Sequence, residues 1–566
     1  MTMTSFAREL FHSGRYQEIL KSEGSLPPRD DKYRLAALVF MGREIEAQHL
    51  LESARWSGED CVEVHFYILL SSLRIGDYTS MKRDLLKLYN AYQKCSSAAT
   101  RFYLYQGLGL IRYYKGEFAK GHGHSRRSFR IALKRQDNYL CMIANDLMAH
   151  SSCMLEHYAR GLQLFSDSLR FANKMASNNN IQVLELAQLT YKIEAGQELE
   201  KAQRELYNWI ATIEPQDYFS KTNALLLKAK LLLLRGLFKD AEDLLLEISQ
   251  QVYAFNQGRQ ILNYNLILGH LHFILHGPSK GLGLIRTSLQ LCHKVQDYYY
   301  LHRFKELEYF AAAAPVKNKS AEALLPYASL TGRKSRLRYP LGIIPEESID
   351  HYLKDEVPGQ VKLSTLKKLK NKGLLGLLIM SGLYHAEDFI DLRLAERAVL
   401  LACAGNLDLF LELSSGQYEL LRLLVSKTRW RRQDLFESFW RVPYDPFIHD
   451  NKLYVTLKRL KNKLLPTIAL FHFEKGEIVV KNLRLFKTEQ VLVARDHVEH
   501  FQYANFNPRQ FAILRDQRVG ELIIPREQAQ LFGVSRNTVT RDLKDLVKRG
   551  KLIKIGQGRG THYRVL

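Results

Sequence analysis

The sequence predicts a mainly α-helical protein, in which an N-terminal α-solenoid of helical hairpins is followed by two winged-helix domains of mixed α and β structure. Three observations lead to this prediction. Turns that contain glycine recur between apolar helical segments in residues 1–315. Two later stretches each combine short helices, a basic third helix and a terminal pair of short strands. Proline, which interrupts helices, does not occur between Pro28 and Pro215.

The composition is that of a globular protein with an excess of basic residues. The 566 residues include 82 Lys and Arg against 59 Asp and Glu, a formal net charge of +23. Such a charge favours polyanionic partners, either nucleic acid or an anionic membrane surface. The first residues have neither a basic nor an apolar signal-peptide region, so we expect no signal peptide, and the apolar runs are shorter than the about 20 residues that cross a bilayer. Six dispersed cysteines without a CxxC pair agree with a reducing compartment. We therefore expect a cytoplasmic protein without a membrane partner.

Residues 1–315 are predicted to form the helical array. Glycine turns follow one apolar helix and precede another, and an aromatic residue often begins the second helix. The spacing is 40 residues from Gly76 to Gly116 and again from Gly196 to Gly236. The turn between these pairs falls near Glu156, where glycine is missing. One hairpin cannot bury its own apolar face, so the hairpins are expected to stack.

The G-x-F-x-x-A pattern at 236–241 resembles the tetratricopeptide family, although the period is longer than the family's about 34 residues. An irregular helical bundle is the alternative. The resemblance implies a concave surface that binds a protein or peptide partner, or a second copy of the chain as in a homodimer. The array is rich in tyrosines, which we expect to belong mainly to the core: Tyr103, Tyr105, Tyr113, Tyr114, Tyr298, Tyr299 and Tyr300.

Residues 316–394 are predicted to be a basic connector. Cations cluster at 333–338, and a second basic run follows at 363–378. One interpretation is that these cations add contacts to DNA phosphates. The other is a solvated linker followed by an amphipathic helix.

Residues 395–487 contain the first predicted winged helix, whose third helix is expected over 451–464. Its apolar stripe consists of Leu453, Leu457, Leu460 and Leu464. No Asp or Glu occurs in residues 451–473, so the other face carries cations with hydroxyl and amide groups. Such a face suits the major groove and its flanking phosphates. The candidate DNA-binding residues here are Lys452, Thr456, Lys458, Arg459 and Lys463.

This region resembles the DNA-binding effector domain of OmpR/PhoB-type response regulators. The matching parts are a helix opened by Ser414 and Ser415, a second helix at 433–440, a YDP loop, the third helix, and a terminal hairpin with Gly476 in its turn. The resemblance implies double-stranded DNA as a partner. No receiver domain with a phosphoacceptor aspartate is evident upstream, so control by aspartyl phosphorylation is not implied.

Residues 488–566 contain the second predicted winged helix. Pro525 is suited to the first turn of its second helix, and Ser535 to the N-cap of its third. Residues near the N-terminus of a recognition helix contact base edges, and we assign this role to Arg536, Asn537, Thr540 and Arg541.

Three further cations of this region are assigned to the DNA backbone or the minor groove. Lys544 and Lys548 are expected at phosphates, and Arg559, in the loop between the two strands, at a phosphate or in the minor groove. Residues 507–566 hold 13 Lys and Arg and 5 Asp and Glu, which gives 13 − 5 = +8. The run at 533–565 resembles the heads of DeoR-type regulators and the winged helices at the C-terminus of Fic-domain proteins. The Fic-associated kind need not bind DNA.

Chemistry-bearing motifs of enzymes are absent from the sequence, which lacks GxxxxGK[ST], GxGxxG after a strand, HExxH and GxSxG. Neither His497 with His500 nor His122 with His124 has a third ligand nearby. We therefore expect no enzyme, no cofactor and no metal site. The leading hypothesis is a DNA-binding transcriptional regulator whose array binds a partner or self-associates. The alternatives are a protein-interaction scaffold whose winged helices bind proteins, and a protein that binds RNA or single strands.

Overall fold

The computed structural model divides into two compact units, Met1–Phe486 and Lys487–Leu566. The residues it describes are 6–22, 27, 30–213, 218–254, 257–311, 322, 324–336, 338–339, 341–385, 387–393, 398–403, 405–410, 413–464, 470–486, 509–510, 513, 522–532, 534–556 and 561–565. The protein is mainly helical, and its small sheets lie towards the C-terminal end of the chain. Within the described ranges, no helix is both long and apolar enough to cross a lipid bilayer.

The N-terminal array consists of helical hairpins, as the sequence predicts. Its helices are α1 Phe6–His12, α2 Tyr16–Lys21, α3 Asp31–Phe40, α4 Glu44–Ser53, α5 Gly58–Ile75, α6 Tyr78–Lys94, α7 Ala98–Tyr114, α8 Phe118–Lys134, α9 Asn138–Met154, α10 Tyr158–Lys174, α11 Asn178–Glu194, α12 Leu199–Thr212, α13 Tyr218–Arg235, α14 Phe238–Ala254, α15 Gly258–His276, α16 Pro278–Val295 and α17 Tyr298–Ala311.

The repeat of the array is 40 residues, which confirms the period read from the glycines. The first helices of successive hairpins, and finally α17, start 40 residues apart, at Gly58, Ala98, Asn138, Asn178, Tyr218, Gly258 and Tyr298. Left-handed glycines with φ from +69° to +85° end the first helix at Gly76, Gly116, Gly196 and Gly236. Glu156 takes the same left-handed conformation, with φ +66°, at the position where glycine is missing. A side chain in this region costs roughly 1–2 kcal/mol, so Glu156 must be held there by its contacts.

The array coils back until distant hairpins touch. The N–H of Tyr298, at the start of α17, donates to the carbonyl oxygen of Lys115 at 3.1 Å. The rings of Phe118 and Tyr299 meet edge to face, with 5.7 Å between their centroids. The turn between α7 and α8 therefore packs against the last helix of the array, and the coil encloses space on its inner side.

The basic connector is partly built into the array, which corrects both interpretations of its first cation cluster. Arg333 and Arg336 are buried. Arg333 donates to the carbonyl oxygen of Met154 at 3.0 Å and to Glu156 at 2.6 Å. These two cations are thus neither solvated nor available to phosphates, because both pair with Glu156 of the array and donate to main-chain carbonyl oxygens. The helices of this segment are α18 Leu325–Thr331, α19 Glu346–Leu353, α20 Leu363–Lys372 and α21 Leu377–Met380.

A four-stranded sheet joins the connector to the first winged helix. Its order is β3-β2-β1-β7, with β1 Phe389–Arg393, β2 Ala398–Cys403, β3 Asn406–Phe410 and β7 Arg484–Phe486. The N–H of Leu407 donates to the carbonyl oxygen of Gly236 at 2.9 Å, and the N–H of Lys239 to that of Gly405 at 3.1 Å. The turn between α13 and α14 is therefore hydrogen-bonded through its main chain to the edge of this sheet.

The first winged helix contains three helices and a small sheet of order β4-β6-β5. Its elements are α22 Ser415–Leu424, β4 Arg429–Arg431, α23 Arg432–Trp440, α24 Pro446–Leu464, β5 Phe471–Glu474 and β6 Glu477–Val480. Helix α24 begins at Pro446, five residues before the predicted start at 451. Proline fits the first helical turn, and the side chain of Asp445 accepts a hydrogen bond from the N–H of Phe447 at 3.0 Å. The four predicted leucines of this helix are all buried.

The C-terminal unit has the second winged-helix arrangement. Its elements are β8 Leu522–Ile523, α25 Pro525–Phe532, α26 Arg536–Lys548, β9 Leu552–Ile555 and β10 His562–Val565. The sheet has the order β8-β10-β9, and β8 was not among the predicted strands. The core includes Val539, Leu543 and Leu546 from α26, which recur at helical spacing on one face of this helix.

Candidate functional site

Helix α24 presents a basic surface opposite its buried leucines. The side chains of Lys452, Lys458, Arg459 and Lys463 are exposed, and that of Thr456 is half-buried. Lys458, Arg459 and Lys463 are not paired with a carboxylate of any described residue. Cations without a competing carboxylate remain available to an external polyanion.

Two of the candidate residues on α24 already have partners within the domain. The Nζ of Lys452 lies 4.9 Å from the centroid of the Trp440 ring, a cation–π contact with α23. The hydroxyl of Thr456 donates to the carbonyl oxygen of Lys452 at 2.7 Å. Thr456 therefore has acceptor capacity left, and Lys452 is oriented by an aromatic face without losing its charge.

Helix α26 presents a second basic surface. Ser535 is the N-cap, as predicted, and its side chain accepts a hydrogen bond from the N–H of Thr538 at 3.2 Å. Arg536, Asn537 and Arg541 are exposed in the first two turns. The hydroxyl of Thr540 donates to the carbonyl oxygen of Arg536 at 2.8 Å, so this threonine is oriented along the helix.

The predicted phosphate contacts of the C-terminal unit occupy the later turns of α26. Lys544 and Lys548 are exposed. Two aspartates of this helix have basic partners, since Asp542 pairs with Arg509 at 2.7 Å and Asp545 with Arg549 at 2.8 Å. These ion pairs reduce the negative charge beside the two lysines. Arg559 lies outside the described residues.

Exposed apolar side chains at the start of α24 were not among the sequence-based candidates. Phe447 is 99% exposed, Ile448 68% and Tyr454 53%. A sequence pattern gives little warning of Phe447 and Ile448, because the helix was expected to begin only at 451. Apolar groups this exposed, beside cations, need a partner to be explained.

A cavity of about 440 Å³ lies on the inner side of the array. Its walls come from helices far apart in sequence, from α3 to α17. Four of the tyrosines expected mainly in the core contribute to these walls: Tyr113, Tyr114, Tyr299 and Tyr300. The volume falls within the range of about 300–1,000 Å³ that is common for ligand sites.

Both signs of charge line this cavity. Glu194 and Lys230 pair at 2.7 Å, and Asp146 lies 3.5 Å from His150. Burial raises the pKa of Glu194. The positive charges of Lys230 and of more distant arginines lower it by more than burial raises it, so the pKa lies below its ordinary value. Amide side chains on the same walls offer both donors and acceptors: Asn180, Asn223, Asn263, Gln106, Gln257 and Gln260.

Arg259, in the first turn of α15, supports three of the tyrosines. Its guanidinium carbon lies 4.5 Å from the ring centroid of Tyr113 and 5.2 Å from that of Tyr114. Its Nε pairs with Asp297 at 3.2 Å. Burial alone lowers the pKa of Arg259, but Asp297 and the tyrosines outweigh it and raise the pKa. The guanidinium therefore stays charged and fixes this aromatic wall.

No group of three or more His, Cys, Asp or Glu side chains is placed to hold a metal ion in the part of the chain that the structure describes. His122 and His124 lie on α8, and burial lowers the pKa of both imidazoles. His497 and His500 lie outside the described residues.

Comparisons with known proteins relate the C-terminal region to a regulator family. Residues 509–566 match the family model described as the C-terminal domain of DIP2311-like transcriptional regulators. No curated protein matches the chain.

Two solved structures are similar to the chain at low identity. A Rap protein complexed with competence and sporulation factor is 11% identical, with 63% of this chain and 97% of that chain covered and a TM-score of 0.43. The structure of phAimR with its ligand is 14% identical, with 54% and 87% covered and a TM-score of 0.39.

Proposed function

We propose that this protein is a DNA-binding transcriptional regulator, in which tandem winged helices read duplex DNA and the helical array binds a protein or peptide partner or a second copy of the chain. The observation that carries the proposal is shared by α24 and α26. Each helix buries an apolar stripe in its own domain and exposes cations on the remaining face. The match of residues 509–566 to a transcriptional regulator family supports it.

Both helices contact the DNA in this proposal, each through its own set of side chains. On α26, Arg536, Asn537, Thr540 and Arg541 contact base edges from the first turns, while Lys544 and Lys548 contact phosphates. Arg559 adds a contact from the loop between the strands. On α24 the contacts come from Lys452, Thr456, Lys458, Arg459 and Lys463. The resemblances to OmpR/PhoB-type and DeoR-type domains agree with this division.

The test is binding of the full chain to a random-sequence duplex by fluorescence anisotropy from 50 to 200 mM salt. We expect affinity to fall linearly with the logarithm of the salt concentration, with a slope of about −0.9 for each phosphate neutralised. A variant with Lys458, Arg459, Arg536 and Arg541 changed to alanine should lose at least roughly tenfold in affinity and show a shallower slope. The proposal is refuted if the chain does not bind the duplex at low salt, or if its affinity for the duplex does not fall as the salt concentration rises.

A matched control separates site-specific loss from loss of net charge. Arg126, Arg130, Lys134 and Arg135, on α8 and at its end, are four other exposed cations. Their quadruple alanine variant removes the same charge and should bind duplex DNA like the wild type. An equal loss in both variants would mean that DNA meets the general charge of the protein and not the two helices. A competition between duplex and single strands then decides whether single-stranded nucleic acid is the preferred ligand.

The inner cavity is the site we propose for the partner of the array, as a segment of peptide. Aromatic walls, both signs of charge and several amide side chains suit an extended chain, whose backbone needs paired donors and acceptors. A selection from a random peptide library should yield peptides that bind the wild type. These should not bind Ala187→Trp, which places a large ring in the cavity wall, and should still bind Leu246→Trp on the exposed surface of α14. Equal binding to both variants would place the peptide elsewhere.

A second candidate is a protein-interaction scaffold whose winged helices bind proteins. The exposed Phe447, Ile448 and Tyr454 favour it, because exposed apolar clusters often mark protein contacts. It predicts that changing Lys458 and Arg541 to alanine leaves function intact, whereas changes in the array abolish it. The first candidate predicts the reverse for the two cations.

A further inference from the structure

Phe447 and Ile448, hereafter the apolar tip, lie in the first turn of α24, and most of their side-chain surface is left uncovered by the described residues. Phe447 is 99% exposed and Ile448 68%. Their backbone is nevertheless held in place. Asp445 accepts a hydrogen bond from the N–H of Phe447, and its carbonyl oxygen accepts one from the N–H of His449 at 2.8 Å. The tip is thus two apolar side chains presented on a fixed helical turn.

The carboxylates beside the tip are engaged elsewhere. Asp450 pairs with Arg432 at 3.1 Å and also accepts a hydrogen bond from the hydroxyl of Tyr444. Asp445 caps the helix, as described above. After Asp450, no acidic residue follows in the sequence until Glu474. From Asp450 to the end of α24, the exposed charged side chains are therefore all cations.

The tip and the cations share one helical face. With 3.6 residues per turn, Lys458 follows Phe447 three turns later, and Lys452 and Arg459 follow Ile448 one and three turns later. The buried leucines lie on the opposite side. Lysine is depleted in the cores of protein interfaces, whereas contacts with DNA combine cations at phosphates with apolar contacts in the major groove. Duplex DNA therefore fits this face better than a protein partner.

We propose that Phe447 and Ile448 read thymine, through contact with the C5-methyl group that thymine exposes in the major groove. The inference rests on the proposed DNA binding and deepens it, since it names a base and the two side chains that select it. The N-terminal turn of a recognition helix is where base edges are met. The methyl group is the apolar feature that major-groove edges offer, and phenylalanine is among the residues that contact it. Cations alone on α24 would hold DNA without this preference.

The test removes the methyl group and nothing else. A preferred site is first selected from a random duplex pool with the full chain, and each thymine in it is then replaced in turn by deoxyuridine. We expect about fourfold weaker wild-type binding for each contacted thymine, the value of one buried methylene-sized group. Phe447→Ala or Ile448→Ala should bind the thymine and deoxyuridine duplexes equally at the affected position. Because both side chains are exposed, these variants should melt like the wild type.

Ile45→Ala, which also removes an exposed apolar side chain but from α4, is the matched control and should keep the preference for thymine. The inference is overturned if the wild type binds thymine and deoxyuridine duplexes alike at every position, or if both tip variants retain the preference. It is also overturned if the tip variants change self-association or protein binding while the preference stays. Salt-dependent duplex binding in any of these cases leaves the proposed function standing. Absence of all duplex binding removes both.

Discussion

Glu156 and Arg333 stand 177 residues apart in the chain and form an ion pair with 2.6 Å between Oε1 and Nη2. Arg336 reaches the same carboxylate oxygen at 3.3 Å. Glu156 is also the residue that adopts a left-handed conformation in place of glycine. One residue therefore has two roles: its backbone conformation forms the turn after a helix of the array, and its side chain holds the connector against that turn.

Glu156→Gln should destabilise the protein by about 3 kcal/mol, because it leaves two buried arginines without their counter-charge. The measurement is the free energy of unfolding of the Met1–Phe486 unit from denaturant titration of the full chain. Glu46→Gln is the control, since its pair with Arg43 is exposed and its loss should leave the unfolding free energy almost unchanged. Equal effects of the two changes would contradict the assignment of Glu156 as the partner that stabilises the two buried arginines.

The lowered pKa of the buried His270 predicts that the folded protein loses stability in mild acid. Burial, helped by Arg303, lowers its pKa from the ordinary 6.5 to about 3. The unfolded chain therefore binds the proton first. The contribution of neutral His270 is complete above pH 6.5 and falls as the pH drops from 6.5 towards 3. Between pH 6.5 and 5 this amounts to about 2 kcal/mol.

His270→Gln should flatten the pH dependence of the unfolding free energy over that interval, although other histidines leave a residual slope. His302, whose pKa burial lowers to about 4, is one of them. Identical slopes for wild type and variant would show that His270 takes up its proton in the folded protein as readily as in the unfolded chain.

Two helical glycines of the array should respond in opposite directions to alanine. A Cβ at Gly161, on α10, would overlap the Sγ of Cys153 and lie 3.1 Å from the carbonyl oxygen of Ala149. Gly161→Ala should therefore cost about 2 kcal/mol of unfolding free energy. A Cβ at Gly123, on α8, meets no described atom within 4 Å, so Gly123→Ala should gain up to about 1 kcal/mol of helix propensity. Thermal melts of the two variants check the sign, and a gain at Gly161 would refute the close packing of α9 on α10.

The assignment of some α26 residues to base edges and others to phosphates predicts two kinds of DNA-binding defect. Lys544→Ala and Lys548→Ala should weaken binding to all duplexes by similar factors, and each should reduce the magnitude of the salt slope by about 0.9. Arg541→Ala should instead relax the preference for one base, at a cost of roughly 1–3 kcal/mol on the preferred site. Parallel selections from a random duplex pool, followed by salt titrations, measure both effects. Loss of sequence preference in the lysine variants would reverse the assignment.

The sequence contained enough to predict the repeat and the helices with an apolar stripe. The left-handed turn was located at Glu156 without a glycine, since the neighbouring turns fix the period. The burial of Leu453 and the three other leucines of α24 was predicted correctly, because the spacing of apolar residues along one helix can be read from a short stretch of sequence. The start of that helix was missed, since Pro446 reads as a loop residue until the Asp445 cap is known.

Features that depend on distant contacts could not be predicted. In the sequence, Arg333 and Arg336 look like a solvated run of charges. Their carboxylate partner, Glu156, lies about 180 residues earlier, in the turn between α9 and α10. The cavity is invisible for the same reason, because Tyr113 and Tyr300 come together only when the array coils. Phe447 escaped notice because an exposed apolar residue has no periodic pattern that distinguishes it from a core residue.

The main-chain bonds that join Gly236 to Leu407, and Lys239 to Gly405, have a consequence for how related chains diverge. Gly405 in the β2–β3 turn has φ +79°, and a Cβ there would lie 3.0 Å from Leu275, so a side chain at this position would strain the contact. A single inserted or deleted residue shifts the register and breaks both. Relatives should thus keep both the length of this turn and its glycine, a pattern opposite to that of ordinary surface loops.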